Sequence, residues 1–257
     1  MSHPHHRPIR LAAVALATGT TLGAASSLAG AATTSGNSGS SAVPATLAGI
    51  KAKAASDITD RVNDLDGAIA RVNAAKGLGV GQGALVSYLG LDISPLQQLN
   101  ETIQTDSTVN QAAHDFGTIF SDYRVYALVL PASRITATAD HAAASAIPNL
   151  SADAAKAQAR VTPANQATLQ PLINDLNTQI STAANATNGL AATVLAFTPA
   201  QWNANNSLLA SSRSSEQTAT VALGKGRGDV EQIAQDLKSA AGAGLHAHAG
   251  STTTTTS

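Results

Sequence analysis

The chain has no cysteine and few aromatic or charged residues. Without cysteine there is no disulfide framework, no thiolate metal site and no lipid-attachment cysteine. Aromatic residues make up 3% and charged residues 12% of its 257 residues, so a core must consist mostly of small aliphatic side chains. Alanine is abundant, and it favours helix while burying little area. The composition therefore favours thin, closely packed helices.

The first 31 residues have the pattern of a secretion signal peptide. Arg7 and Arg10 give a basic start, and Leu11–Leu28 is mostly apolar. Ala29 and Ala31 fit the small-residue pattern of a cleavage site at the end of this segment. Threonine and glycine interrupt the apolar run, which favours a cleaved peptide over a membrane anchor. We therefore expect a secreted protein, or one held at the cell envelope by non-covalent contacts.

The charge of the processed chain excludes some partners. Cleavage leaves thirteen basic and sixteen acidic residues, a net charge of −3. This charge is too small and too mixed to indicate a nucleic-acid partner. Because no second long apolar segment follows, we predict no transmembrane segment after cleavage.

The remaining chain divides into three parts by composition. Residues 32–45 are rich in Ser, Thr, Gly and Ala and are predicted to be a flexible leader. Residues 46–241 carry helical periodicity and are predicted to form one helical domain. Residues 242–257 are of low complexity and are predicted to be a disordered tail.

The first helix has the clearest periodicity. Apolar residues recur at steps of three and four in a heptad-like pattern, which predicts one buried face. Asp57 and Arg61 have the spacing of an exposed ion pair. Gly77 is predicted to end the helix, and a glycine-rich loop reaches Gly83. The periodic residues are Leu47, Ile50, Ala54, Ile58, Val62, Leu65, Ile69 and Val72.

The next boundaries are read from helix-capping signals. Ser94, Pro95 and Gln97 match a capping box and predict a new helix, although a proline kink within one helix is the alternative. Asp106 or Ser107 is predicted to cap the helix that follows.

The segment from Val109 to Ala139 holds four of the six Phe and Tyr residues. Their spacing predicts that they share one face of a helix. Val125–Leu130 also has strand character, but we favour helix because no other segment offers a strand to pair with it. Pro131 predicts a kink, and the helix is expected to end before Pro148. The four aromatic residues are Phe116, Phe120, Tyr123 and Tyr126.

The second half continues the helical pattern. Thr198 and Gln201 form a second capping box, and Phe197 and Trp202 flank it at the spacing of a hydrophobic staple. The last helix is expected around Ala219–Leu237, where three glycines predict a flexible break. The alternative is a phosphate-binding loop, although the glycine spacing matches neither common phosphate motif. The glycines are Gly224, Gly226 and Gly228.

Polar residues that could form a site are few. Asp122, Tyr123, Arg124 and Tyr126 could contact a ligand or partner, whereas the alternative is ordinary packing and solvent exposure. A metal site would need His114 and Asp115 to meet Asp140 and His141, which are too distant along a helix. We therefore predict no catalytic residue, no metal and no cofactor.

Two segments resemble those of a known group. FSDYRVYALVLP (Phe120–Pro131) and FTPAQWNANN (Phe197–Asn206) are similar to the signature segments of secreted helical proteins of high-GC bacteria. That group has no established activity. The resemblance implies an all-helical extracytoplasmic protein and transfers no catalytic residue.

These observations lead to one predicted architecture and two functional hypotheses. The fold class is all-α, an elongated antiparallel bundle of three to four long, kinked, coiled-coil-like helices. The first hypothesis is a non-enzymatic spacer or protein-interaction module with a protein partner or self-association. The alternative is a helical bundle that holds a small apolar ligand or lipid among its aromatic residues.

Overall fold

The described part of the chain is all-helical. A computed structural model describes residues 44, 46–79 and 81–249, the last nine of them as backbone only, and these residues contain no strand. The predicted signal peptide, most of the leader and the end of the tail lie outside them. The helices are α1 Leu47–Ala74, α2 Gly81–Gly90, α3 Ile93–Thr105, α4 Val109–Ser121, α5 Leu130–His141, α6 Ile147–Gln158, α7 Gln166–Thr187, α8 Leu190–Leu195, α9 Pro199–Ala204 and α10 Ala210–Ala249, with π-helical segments π1 Val125–Val129 and π2 Ala142–Ala146.

Helix α1 confirms the predicted periodicity. The Thr46 hydroxyl caps it by accepting a hydrogen bond from the Gly49 N–H at 3.1 Å. All the predicted apolar positions of α1 are buried or partly buried in one apolar cluster, which also contains residues of α2, α3 and α4. We name it the N-terminal cluster. The helix ends at Ala74 with an extended Ala75, so the predicted end at a glycine cap is wrong. Gly77 instead lies in the loop, with a φ of 78°.

Two predicted helix starts are shifted. Helix α3 begins at Ile93 with Asp92 as its N-cap residue, so the capping box predicted at Ser94 is wrong. The structure also separates α2 from α3 by a two-residue turn, Leu91 and Asp92, which supports two helices over one kinked helix. Helix α4 is capped by Thr108, whose hydroxyl accepts a hydrogen bond from the Gln111 N–H.

The predicted aromatic face is interrupted. Helix α4 ends at Ser121, and Arg124 has a left-handed backbone, so Tyr123 and Tyr126 do not continue the face of Phe116 and Phe120. The two phenylalanine rings do pack together, edge to face, with centroids 5.3 Å apart.

One long helix follows this bend. Segments π1, α5, π2 and α6 join without a break from Val125 to Gln158, 34 residues or roughly 50 Å at 1.5 Å per residue. Val125–Leu130 is therefore helical as favoured, but the end predicted before Pro148 is wrong. Segment π1 ends at Val129, two residues before Pro131, and segment π2 ends at Ala146, two residues before Pro148. The wider π turn accommodates a residue that lacks an N–H, so the helix continues past each proline.

Buried apolar residues of the described part form three clusters, and the long helix contributes to all of them. The N-terminal cluster is built by α1–α4 and receives Val125 and Val129. The middle cluster joins α5 to α8 and includes Leu128 and Ile135. The C-terminal cluster joins π2, α6, α7 and α10.

The middle cluster receives both residues of the predicted staple. Thr198 and Gln201 form the full capping box of α9. Phe197 and Trp202 both pack, partly buried, against the middle cluster. The predicted cap and the structural role of the tryptophan are confirmed.

Helix α10 has no break at its glycines, so the predicted flexible break is wrong. It is continuous from Ala210 to Ala249, past Gly242 where the tail was predicted to begin. A Cβ at Gly226 would lie 3.2 Å from a Cδ1 atom of both Leu150 and Leu176, so this glycine permits close approach of α6, α7 and α10. Gly224 and Gly228 face open space.

A partly buried ion pair joins α10 to α5. Arg134 contacts the Glu216 carboxylate at 3.2 Å, and the Thr138 hydroxyl donates to the same carboxylate at 3.1 Å. Glu216 is only 8% exposed, so its charge depends on these two partners.

We expect Glu216→Ala to lower the free energy of unfolding by about 1 kcal/mol, because it removes the ion pair with Arg134 and one of the two acceptors near the Thr138 hydroxyl, the other being the Arg134 carbonyl. Glu231→Ala, an exposed position on the same helix, is the matched control and should change stability by less than about 0.5 kcal/mol. Urea unfolding followed by circular dichroism measures both variants. Equal values would contradict a structural role for the ion pair.

Candidate functional site

The bend between α4 and π1 carries the residues predicted to form a site. Arg124 at this bend is the only non-glycine residue of the described part with a positive φ, 45°. Its Nε donates to Asn203 Oδ1 at 2.7 Å, and Asn203 Nδ2 donates to the Ser121 carbonyl at 2.9 Å. The amide from α9 therefore holds both sides of a strained turn, and strain of this kind is common at functional sites.

The four predicted residues do not converge. Asp122 is exposed and accepts a hydrogen bond from the Ser121 hydroxyl at 2.6 Å. Arg124 engages α9, whereas the Tyr126 hydroxyl donates to Asp64 Oδ2 on α1 at 2.9 Å. Tyr123 packs, partly buried, against the N-terminal cluster. The bend therefore distributes its polar side chains among three neighbouring elements.

Arg61 on α1 is held beneath the bend. Its guanidinium lies 4.7 Å from the centroid of the Phe120 ring and 5.0 Å from that of Tyr126, within cation–π range of both. The side chain is 7% exposed, and its Nη1 donates to the Asp57 carbonyl at 2.7 Å. Burial lowers the pKa of Arg61, while the nearby groups of Tyr126 and three aspartates oppose that shift. These contacts join α1 to both sides of the bend.

The exposed ion pair predicted between Asp57 and Arg61 is wrong. Both residues are buried, and Arg61 bonds to the backbone of Asp57. The Asp57 carboxylate pairs with Lys53 through Oδ1, and Oδ2 is buried without a hydrogen-bond partner. The guanidinium instead packs against the Phe120 and Tyr126 rings.

A second group of polar side chains surrounds Asp92. Burial raises the pKa of Asp92 to about 6. Burial also raises the pKa of Tyr88 and of Tyr123, and the negative charge of Asp92 raises both pKa values further. At Tyr123 the charge of Asp122 adds a smaller increase. The Tyr88 hydroxyl is buried without a hydrogen-bond partner. The partly buried Asp92 charge thus acts on both phenols, and we name Tyr88, Leu91, Asp92 and Tyr123 the elbow.

Asp92→Asn is expected to change the pH dependence of stability. Because the pKa of Asp92 in the folded state is raised above its usual value, the stability that depends on the neutral carboxyl is present at low pH and lost as pH rises through about 6. The variant should match the wild type near pH 4 and become progressively more stable than it up to pH 7. Urea unfolding from pH 4 to 8 measures this difference, with Asp66→Asn, an exposed site on α1, as control. A constant difference across the range would contradict the burial of the charge.

The other candidate sites are accounted for by local structure. The described residues contain no group of three or more His, Asp and Glu side chains placed to hold a metal. The phosphate loop considered near Gly224–Gly228 is absent, because that segment is helix. Within residues 46–79 and 81–249, no helix combines the length and the apolar character that a bilayer crossing requires.

The glycine-rich loop before α2 is occupied by a carboxylate of the chain itself. The Gly79 N–H donates to Asp140 Oδ2 at 2.7 Å. A Cβ at Gly81 would lie 2.8 Å from Asp140 Oδ1, so only glycine allows this approach. Asp140 thus takes the place at the start of α2 where an external anion could bind. Beside it, His141 is buried against Gly77, with Nδ1 unpartnered.

Sequence reasoning missed the residues that hold the bend and the elbow. Arg61 and Asp64 on α1, Tyr88 and Asp92 at the elbow, and Asn203 on α9 come from three distant parts of the chain, so local spacing does not link them to the bend. One signal was available, because Arg124 and Asn203 lie in the two segments singled out in the sequence, Phe120–Pro131 and Phe197–Asn206. Their contact shows that these two segments form one structural unit.

No protein-family model matches the chain, and neither the curated proteins nor the solved structures include a significant match. The site must therefore be interpreted from its own geometry.

Proposed function

We propose that this chain is a non-enzymatic helical protein of the cell envelope or the extracellular space, acting as a spacer and protein-interaction module. The observation that supports this most directly is the helix from Val125 to Gln158, which enters all three apolar clusters. A helix packed along its whole length keeps a fixed distance between its ends. Export would depend on the predicted signal peptide, residues 1–31.

The arrangement we propose is elongated and antiparallel, with long kinked helices packed at shallow angles. Its support is the succession of the three clusters along one helix of roughly 50 Å. A chain rich in alanine suits this shape, because small side chains allow close helix approach.

The polar groups also favour binding over catalysis. The side chains around the bend separate toward α1, α9 and the elbow, whereas a catalytic centre requires groups that converge on one reacting atom. Two surface depressions of about 450 and 380 Å³ lie along the C-terminal helices. Their lining is dominated by amides, hydroxyls and aliphatic groups, with Lys225 as its single ionisable residue.

The alternative of an apolar ligand receives less support. The residues expected to surround it separate into two groups. Phe116, Phe120 and Tyr123 belong to the N-terminal cluster, whereas Phe197 packs in the middle cluster. Phe120 is also covered by the Arg61 guanidinium, which places a charge where an apolar ligand would lie.

Cross-linking in intact cells of the native host tests the proposed function. We expect one or a few partners, or a second copy of the chain, to be captured reproducibly from the envelope or culture fluid. N-terminal sequencing of the processed protein should begin after residue 31. Native mass spectrometry of the purified protein separates the hypotheses, because a retained lipid or small molecule would favour the alternative. A monomer that captures nothing would contradict the interaction function.

A further inference from the structure

A groove between α7 and α10 brings uncharged polar side chains of the two helices together. Its volume is about 380 Å³. The lining residues of α10 follow one another at steps of three, one and three, which places them on one stripe of the helix. The stripe from Ser214 to Lys225 spans roughly 16 Å at 1.5 Å per residue. Uncharged polar residues and Val221 make up most of the lining: Gln179, Thr182, Ser214, Gln217, Thr218 and Val221.

The two helices that form the groove are held together by the core beneath it. Leu176 and Ala183 of α7 and Ala219 and Leu223 of α10 are buried in the C-terminal cluster. Gly226 permits close approach, since a Cβ there would lie 3.2 Å from Leu176 Cδ1. The groove therefore exists before a ligand binds, and binding does not require a helix to become ordered.

The polar groups of the groove supply both acceptors and donors. The hydroxyls of Thr182 and Thr218 each donate to the backbone carbonyl four residues earlier, at 2.9 Å, and their oxygens can still accept. Gln179 Nε2 donates to a carboxylate on its own helix at 3.0 Å, which leaves Oε1 as an acceptor. Ser214 and Gln217 are exposed and can both donate and accept. A matching ligand must therefore also carry groups of both kinds.

The low charge of this surface argues against ionic ligands. Among the described residues, the groove is lined by no carboxylate and by one ammonium group, that of Lys225. A cation would need carboxylates, and an anion would be bound best by several positive groups. Residues 161–212, which include α7, contain one charged residue, Asp175. Val221 is 50% exposed, but a single valine among polar groups does not suit an apolar ligand.

We propose that the groove between α7 and α10 binds a neutral sugar chain. Sugar hydroxyls both donate and accept hydrogen bonds, and the C–H face of a sugar ring fits against Val221. Because an open groove covers only part of such a ligand, we expect a Kd of about 1 mM. This proposal goes beyond the proposed function, since the ligand is a carbohydrate and not a protein, and either can fail while the other stands.

The direct test is an NMR titration of the ¹⁵N-labelled full chain. The probes are neutral tetrasaccharides of N-acetylglucosamine, of mannose and of glucose, with tetragalacturonate as the charged control. We expect at least one neutral probe to shift the amide signals of Gln179 and Gln217 and the charged control to leave them unchanged. The matching monosaccharide should bind at least fivefold more weakly, because it contacts only part of the stripe.

Three results would overturn the proposal. They are no response to any neutral tetrasaccharide, an equal response to tetragalacturonate, and equal affinity for the monosaccharide. The last would mean that the groove does not recognise a chain.

Matched variants identify the residues involved. Gln217→Ala should weaken binding of the tetrasaccharide at least fivefold, and Val221→Ser should weaken it two- to threefold. Gln232→Ala, an exposed position on α10 outside the groove, should leave binding unchanged. If Gln217→Ala binds as well as the wild type, or if the shifts centre on the depression lined by Pro163 and Gln170, the groove is not the site.

Discussion

Replacing Arg61 by alanine is expected to lower the free energy of unfolding by about 3 to 5 kcal/mol. The substitution removes a buried cation that stacks on Phe120 and Tyr126 and donates to the Asp57 carbonyl. It also removes one of the two cations near the buried Asp57 carboxylate, whose Oδ1 pairs with Lys53 and whose Oδ2 lacks a partner. Urea unfolding followed by circular dichroism measures the change.

Two further variants show which property of Arg61 matters. Arg61→Lys keeps the charge but loses the plane that contacts two rings, so it should recover less than half of the lost stability. Arg213→Ala removes an exposed arginine from α10 and should change stability by less than about 0.5 kcal/mol. If Arg61→Ala lowers the free energy of unfolding no more than Arg213→Ala does, the Arg61 guanidinium is not a structural link between α1 and the bend.

Gly226→Leu is expected to lower the free energy of unfolding by about 3 kcal/mol. Even a Cβ at this position would approach Leu150 and Leu176 to 3.2 Å, and a full leucine side chain must separate three packed helices. Thermal unfolding and urea unfolding should both report the loss.

The neighbouring glycine provides a control with the same residue change. Gly224→Leu introduces its side chain into open space, so it should gain about 0.8 kcal/mol from helix propensity. Gly228→Leu should behave in the same way. Equal stabilities for the Gly224 and Gly226 variants would contradict the close approach of α6, α7 and α10.

A helix could be predicted from the sequence where only one of its faces is buried. In α1 the apolar residues face one cluster along its whole length, so periodicity alone located it. The capping box at Thr198 was equally predictable, because its hydrogen bonds are local. In both cases the determining contacts lie within a few residues of sequence.

Other features depend on residues distant in the chain. Gly226 has the same low helix propensity as Gly224, and only contact with Leu150 and Leu176 distinguishes them. The left-handed turn at Arg124 is held by an amide 79 residues away. Spacing along the sequence carries no information about such contacts.

The candidate site was predictable only in part. The sequence places Asp122, Tyr123, Arg124 and Tyr126 close together, and they were singled out for that reason alone. Their contacts with α1, α9 and the elbow depend on where α4 ends and where the long helix begins. Asp92 escaped notice because an aspartate before a helix ordinarily has a capping role.

The long helix from Val125 to Gln158 has a consequence for how the protein unfolds. Since it contributes buried residues to every apolar cluster, neither half of the protein can lose its packing while the other keeps its full set of contacts. We therefore expect calorimetry to show one cooperative transition, with equal calorimetric and van't Hoff enthalpies, and not two independent melting events.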